Sequence, residues 1–97
     1  MIAEIQVVPT PAGNAEDRYA HVHAAISVIE ASPLTFEVGP LGTTVEGDPD
    51  EVWAVLRAVH EACVAAGAVS TISVIKLAES TAADAPTMTS LTDRYRS

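Results

Sequence analysis

The stretch that decides the fold is residues 34–47, which read LTFEVGPLGTTVEG. Apolar and polar side chains alternate strictly from Leu34 to Val38, a Gly-Pro-Leu-Gly turn follows, and Thr43-Thr44-Val45-Glu46-Gly47 then forms a second strand-like run. Alternation is typical of a half-buried strand, and a short turn rich in glycine and proline is typical of a hairpin. This stretch therefore predicts two neighbouring antiparallel strands.

Helical patterns flank the predicted hairpin on both sides. Before it, residues 15–31 carry apolar side chains every three or four positions, and Asn14 is the predicted N-cap. After it, Asp48 and Pro49 supply an N-cap and a first-turn proline, and a second apolar stripe runs to Gly67, a typical helix stop. We expect one helix on each side of the hairpin.

Strand patterns lie outside both helices, at residues 2–8 and 69–77. The order strand, helix, strand, strand, helix, strand is that of the ferredoxin-like fold. We therefore predict an α+β domain over residues 1–97, with a four-stranded antiparallel sheet and two helices on one of its faces. The core spans about residues 1–77, and the tail, residues 78–97, ends in a short helix reaching Tyr95.

The alternation assigns strand residues to the two faces of the predicted sheet. The helix-covered face should carry a core layer of Ala3, Ile5, Val7, Leu34, Phe36, Val38, Val45, Ile72 and Val74. The open face should carry the polar set Glu4, Gln6, Thr35, Glu37, Thr44, Glu46, Thr71 and Ser73, together with Ile75. Function is expected on this open face because the helices leave it uncovered.

Composition excludes several classes of partner. Thirteen acidic against five basic residues give a net charge of -8, which opposes binding to phosphate backbones and anionic membranes. The apolar runs are too short for a membrane span, and the first residues lack the basic and apolar regions of a signal peptide. The single cysteine, Cys63, is expected to be a small buried residue. We predict a soluble cytoplasmic protein.

The residue pattern predicts no metal, cofactor or catalytic centre. His21 and His23 would lie about 200° apart around a helix and could not share a metal. His60 is expected at the surface, and Trp53 is expected to pack against the domain or a second subunit. Two interpretations remain for the polar face: it is simply solvated, or its carboxylates bind a small cationic or hydrogen-bond-donating ligand.

Three segments resemble one known family: AEIQVVP at residues 3–9, FEVGPLGTTVEG at residues 36–47, and DEV at residues 50–52. They are similar to the small thiamine-binding proteins, and the resemblance extends to about residue 77. It implies a ferredoxin-like fold, dimers or tetramers formed through the open sheet faces, and thiamine or its hydroxymethylpyrimidine part bound at those interfaces. After Lys76, the sequence LAESTAAD departs from the acidic and basic run that family members often have.

The resulting prediction is a non-catalytic, homo-oligomeric binding protein of vitamin metabolism. Its ligand is expected to be thiamine or hydroxymethylpyrimidine. The ligand-binding residues predicted from the resemblance and the face pattern together are Glu4, Gln6, Glu37, Thr43, Thr44, Glu46 and Ser73. Two alternatives remain open: an enzyme built as a dimeric α+β barrel, and an oligomeric scaffold without a ligand.

Overall fold

The computed structural model describes residues 1–96, which form four strands, three α-helices and a final 3₁₀ turn. In chain order the elements are β1 (Ile2–Thr10), α1 (Ala20–Glu30), β2 (Thr35–Val38), β3 (Thr43–Glu46), α2 (Pro49–Ala65), β4 (Ser70–Ala78), α3 (Met88–Thr92) and the 3₁₀ turn (Asp93–Tyr95). No helix within residues 1–96 combines the length and apolar character needed to cross a bilayer.

The strands form one antiparallel sheet in the order β2-β3-β1-β4. One face is covered by α1 and α2, which contribute Ala25 and Ile29, and Leu56 and Cys63, to a core shared with Val45 of the sheet. These residues are almost fully buried, because the apolar side of the helices packs against the apolar face of the sheet and both are removed from water. The predicted ferredoxin-like α+β fold and the burial of Cys63 are confirmed.

The first helix begins later than predicted. The Asn14 side chain accepts hydrogen bonds from the backbone amides of Glu16 and Asp17, and the Asp17 carboxylate accepts from the amide of Tyr19. Such local side-chain bonds compete with helix formation. Asn14 therefore organises a turn, and α1 starts at Ala20.

Both ends of α2 follow the sequence signals. The Asp48 side chain accepts from the amide of Asp50 at the start of the helix. At the end, Gly67 donates to the Val64 carbonyl and Ala68 donates to the Cys63 carbonyl, which is the Schellman pattern. Gly67 has a φ of 125°, a backbone conformation that residues with a side chain rarely adopt.

The predicted facing of β4 is wrong. Ile5 pairs with Ile75 and Val7 pairs with Ser73, so Thr71, Ser73, Ile75 and Leu77 share the helix-covered face with the β1 core residues. Ser73 is 2.5 Å from His60 Nδ1 on α2, which confirms this facing. The error arose because β4 carries apolar residues at both odd and even positions from Ile72 to Leu77, so alternation alone could not set its phase.

The open face consequently differs from the expected polar surface. Ile72 and Val74, predicted in the core, lie on the open face opposite Val8 and Gln6 of β1. The open face is therefore apolar where Val8 of β1 lies beside Ile72 and Val74 of β4, and it is polar along β2 and β3. Ser73, predicted to bind ligand there, points to the other side of the sheet.

The C-terminal segment, residues 79–96, crosses the polar half of the open face. Glu46 on β3 accepts a hydrogen bond from the Met88 amide at 3.1 Å, and Arg96 forms an ion pair with Glu37 of β2. Met88 is buried. The short helix predicted at the end of the chain is confirmed, and it covers part of the surface that was expected to be bare.

Gly67 offers a test of this architecture. We expect Gly67→Ala to lower the free energy of unfolding by roughly 1–2 kcal/mol, because an alanine strains the positive-φ backbone and its Cβ would lie 3.2 Å from Nε2 of buried His21. Urea denaturation followed by circular dichroism measures the change. The control Ala65→Ser, at an exposed helical position, should change stability by less than about 0.5 kcal/mol. Equal stability of Gly67→Ala and the parent protein would contradict the role given to Gly67.

Candidate functional site

A cleft of about 450 Å³ opens between α1, β1 and the turn that joins β2 to β3. We call it the hairpin cleft. Its lining residues are Ile5, Gln6, Val7, Tyr19, Val22, His23, Ile26, Gly39, Pro40, Leu41, Gly42 and Thr43. Five of these, Gly39 to Thr43, are consecutive and belong to the motif that carries the family resemblance.

The cleft exists because β3 is shorter than β1. The register between these strands runs from Ile2 opposite Glu46 to Ile5 opposite Thr43, and β1 continues five residues further, to Thr10. The β2–β3 turn, closed by a hydrogen bond from the Gly39 amide to the Gly42 carbonyl, therefore stands beside an edge of β1 that β3 does not pair. This gap is the floor of the cleft.

Glycine at position 42 keeps the turn close to β1. A Cβ there would lie 3.3 Å from the Ile5 carbonyl oxygen and 3.3 Å from Cγ of Glu4. Both distances are tighter than ordinary contacts, so a larger residue would push the turn away from β1. The same contact places the Glu4 side chain beside the turn, on the open-face side.

The second wall of the cleft is the apolar stripe of α1. Tyr19, Val22, His23 and Ile26 have the spacing of one helix face, so they point together toward the hairpin. Tyr19 and His23 are exposed at the mouth, where His23 Nε2 lies 3.7 Å from an Asp17 carboxylate oxygen. The spacing of Tyr19, Val22 and Ile26 in the sequence predicts one apolar helix face, but periodicity alone could not indicate that this face borders a cleft.

The polar groups of the cleft are few. Thr43 lines the cleft although it is only 4% exposed. Gln6 also borders the cleft, at the part of β1 that β3 does not pair. An apolar cavity with a small number of polar groups is typical of sites for small organic molecules. Among residues 1–96 there is no cluster of three or more histidine, cysteine or acidic side chains suited to a metal ion.

Each predicted carboxylate on the open face already has a partner within the chain. Glu4 lies 3.6 Å from Lys76 across the β1–β4 pair, Glu37 pairs with Arg96, and Glu46 accepts from the Met88 amide. The Glu4 and Lys76 side chains are both solvent-exposed, so this pair adds little stability. Glu4 is therefore the acid most easily released for another partner.

The seven predicted binding residues fall into three places. Thr43 lines the hairpin cleft; Glu4, Gln6, Glu37, Thr44 and Glu46 lie on the open face, where Gln6 also borders the cleft; and Ser73 lies under α2. The structure therefore does not bring them together in one site. Tyr19 and His23, which sequence reasoning did not choose as ligand-binding residues, stand at the cleft instead.

A known protein family matches this chain over nearly its whole length. A family model described as "Thiamine-binding protein" matches residues 3–96, nearly the whole chain. The chain belongs to the thiamine-binding protein family. The match runs through the divergent stretch after Lys76 and includes the C-terminal segment.

Two similar proteins come from the bacteria Clostridium perfringens and Synechocystis. A UPF0045 protein of Clostridium perfringens is 37% identical over 59 residues, which cover 61% of this chain and 62% of the relative. A UPF0045 protein of Synechocystis is 38% identical over 68 residues, which cover 70% of this chain and 54% of the relative. The matched segments thus span less than two thirds of either relative.

Solved structures share the fold over nearly the full chain. A domain of unknown function, DUF77, from Bacillus cereus superposes with a TM-score of 0.80 at 30% identity, covering 98% of this chain and 90% of that one. A candidate thiamine biosynthesis/salvage protein of Thermotoga maritima superposes with a TM-score of 0.75 at 21% identity, covering 99% and 100%. At that identity the second likeness shows the fold alone.

The bond between Glu46 and the Met88 amide can be tested by hydrogen exchange. We expect Glu46→Ala to lower the protection of the α3 amides about tenfold, since losing a charged acceptor at a helix start costs roughly 1–2 kcal/mol. Glu46→Gln keeps an oxygen acceptor and should lose less protection. Asp84→Ala, an exposed acid of the same segment, should change nothing. Unchanged protection in Glu46→Ala would mean that Glu46 does not hold the segment.

Proposed function

We propose that this protein binds thiamine, or its hydroxymethylpyrimidine part, in the hairpin cleft without transforming it chemically. The observation that carries the proposal is the position of the family motif. Residues 39–43 belong to the motif that resembles the thiamine-binding family, and they form one wall of the hairpin cleft. The residues that carry the family resemblance therefore also shape the cavity. The match of the thiamine-binding family model to residues 3–96 supports the choice of ligand.

The size and chemistry of the cleft suit an aminopyrimidine. Its volume of about 450 Å³ lies within the range typical of small-molecule sites. The flat ring can pack against Val22, Ile26 and the turn, and Tyr19 or His23 can stack on it at the mouth. The Thr43 hydroxyl can both donate to a ring nitrogen and accept from the exocyclic amine.

The Glu4 carboxylate can form an ion pair with the positively charged thiazolium ring of thiamine. It lies beside Gly42 at the open-face side of the turn, and its ion pair with Lys76 is exposed and weak. The thiazolium ring carries a fixed positive charge, which the net charge of -8 also favours. Glu37 and Glu46 are less available because the C-terminal segment occupies both. This arrangement differs from the predicted site, in which open-face carboxylates recognise the pyrimidine.

Isothermal titration calorimetry tests the ligand and the site together. We expect thiamine to bind with a micromolar Kd, which corresponds to about 8 kcal/mol. Thr43→Val removes the hydroxyl, and with it both proposed hydrogen bonds to the ligand, with little change of shape, so it should weaken binding by roughly tenfold. The open-face variant Glu46→Gln should leave the Kd unchanged.

Two outcomes would count against this proposal in different ways. The absence of heat with both thiamine and hydroxymethylpyrimidine at millimolar concentration would exclude the ligand. Loss of binding in Glu46→Gln with normal binding in Thr43→Val would move the site to the open face. Circular dichroism of each variant confirms that it is folded.

Self-association through the open face belongs to the same proposal. Val8, Ile72 and Val74 form an exposed apolar patch on that face, next to the half covered by the C-terminal segment. Burying such a patch against the same patch of a second copy releases water from both. The proposed compartment is the cytoplasm, which suits a protein whose one cysteine is a buried thiol.

The position of Val8 makes this contact testable. Val8 lies on the inner strand β1, so Val8→Glu places a charge in the open face without touching either sheet edge. We expect it to shift the protein toward monomers in sedimentation velocity. Val69→Glu adds the same charge at an exposed position outside the sheet and is the control. A parent protein that remains monomeric at high concentration would rule out this contact.

A further inference from the structure

The α1 side of the hairpin cleft is held in place at the mouth. The Tyr19 amide donates to the Asp17 carboxylate at 3.1 Å, and the Tyr19 carbonyl accepts from the His23 amide at 2.9 Å. The Arg18 guanidinium lies over the ring of Tyr19, with Cζ 5.6 Å from the ring centroid, which is a cation–π distance. Tyr19 therefore lines the cleft from a fixed position.

The facing wall, the β2–β3 turn, is held on one side only. The last paired residues of β2 and β3 are Val38 and Thr43, and beyond them the Gly39 amide donates to the Gly42 carbonyl at 2.8 Å. Gly42 lies against β1, as its close approach to the Ile5 carbonyl shows. Pro40 and Leu41, by contrast, lie outside the strands and are exposed. High exposure and few backbone hydrogen bonds are typical of segments that move in the native state.

Leu41 carries the largest apolar side chain of this turn, and it remains in water. It lines the cleft, yet it is 78% exposed, and Tyr19 across the mouth is 49% exposed. One exposed leucine on a protein surface is ordinary. Here, however, both side chains border the same cleft, so a flat ring that enters between them allows both to leave water together. Closure over an empty cleft would leave a void and gains much less.

We propose that the β2–β3 turn is a lid that closes over the bound ring when Leu41 moves toward Tyr19. This inference rests on the proposed function and adds how the cleft retains its ligand. Pro40 and Leu41 move as a unit, while Gly42 stays against β1. The closed lid keeps water away from the Thr43 hydroxyl and its hydrogen bonds to the ligand. The ligand can leave only after the lid opens.

The lid acts on the part of the ligand that thiamine and hydroxymethylpyrimidine share. Leu41 can recognise the aminopyrimidine ring by apolar contact alone, and both ligands contain this ring. Glu4, on the open-face side of the turn, is placed to contact the thiazolium ring, which only thiamine contains. The two side chains therefore have different effects on the two ligands.

Calorimetry with both ligands tests the contribution of Leu41. We expect Leu41→Ala to weaken thiamine and hydroxymethylpyrimidine by the same factor, about five- to tenfold, because most of the apolar cover is lost. Leu41→Met, which keeps the size and apolar character of the side chain, should restore most of the affinity. Glu4→Gln should weaken thiamine more than hydroxymethylpyrimidine. The control is Leu91→Ala, an exposed leucine of α3 outside the hairpin cleft, which should bind both ligands as the parent does.

Methyl relaxation in nuclear magnetic resonance tests the motion itself. We expect the Leu41 methyl groups to have low order parameters in the free protein and clearly higher ones with saturating hydroxymethylpyrimidine. The Leu91 methyl groups should have the same order parameters in both states. A rigid cleft wall that merely contacts the ligand would leave Leu41 equally ordered with and without it.

Three results would overturn the lid, and they separate it from the proposed function. Normal binding by the parent together with an unchanged Kd in Leu41→Ala removes the lid and leaves thiamine binding intact. Equal order parameters of Leu41 in the free and bound states do the same. The absence of binding by the parent with either ligand removes the proposed function and the lid together. Circular dichroism confirms that each variant is folded.

Discussion

β1 pairs with β3 over only four residues but with β4 over its full nine, and most features of this molecule depend on that inequality. Where β3 ends, the β2–β3 turn stands beside an unpaired edge of β1 and creates the hairpin cleft. Where β4 continues, a long outer edge is exposed on the opposite side of β1. The antiparallel register also requires that residues opposite each other share a face, so β1 decides which β4 side chains are buried.

The acidic residues of the open face form contacts within the chain. Glu4, Glu37 and Glu46 all lie on the open face, but each meets a partner supplied by a different part of the chain: Lys76, Arg96 and the Met88 amide. Two of these partners belong to the C-terminal segment, which thereby becomes part of the fold. The open face is therefore divided between a half occupied by this segment and an exposed apolar half.

Sequence patterns predicted an element correctly where the local residues favour only one backbone structure. The hairpin, the Asp48 cap of α2 and its Gly67 end follow from residue type alone, and the structure shows all three. The start of α1 was missed because Asn14 and Asp17 can cap a turn as readily as a helix. Of the seven predicted binding residues, Thr43 and Gln6 border the cleft and Ser73 faces α2, whereas Tyr19 and His23, which also line the cleft, were not among them.

The sequence by itself determined the element order, the helix-covered side of β1 and the family, because alternation, caps and the residue 36–47 motif are properties of short segments. Only the tertiary structure decided the facing of β4 and the position of the C-terminal segment on the open face. The reason is that β4 carries apolar residues at both odd and even positions, so it has no preferred phase until a neighbour sets its register. Likewise, Glu46 accepts a hydrogen bond from the amide of Met88, a residue 42 positions further along the chain. No local pattern encodes such a contact.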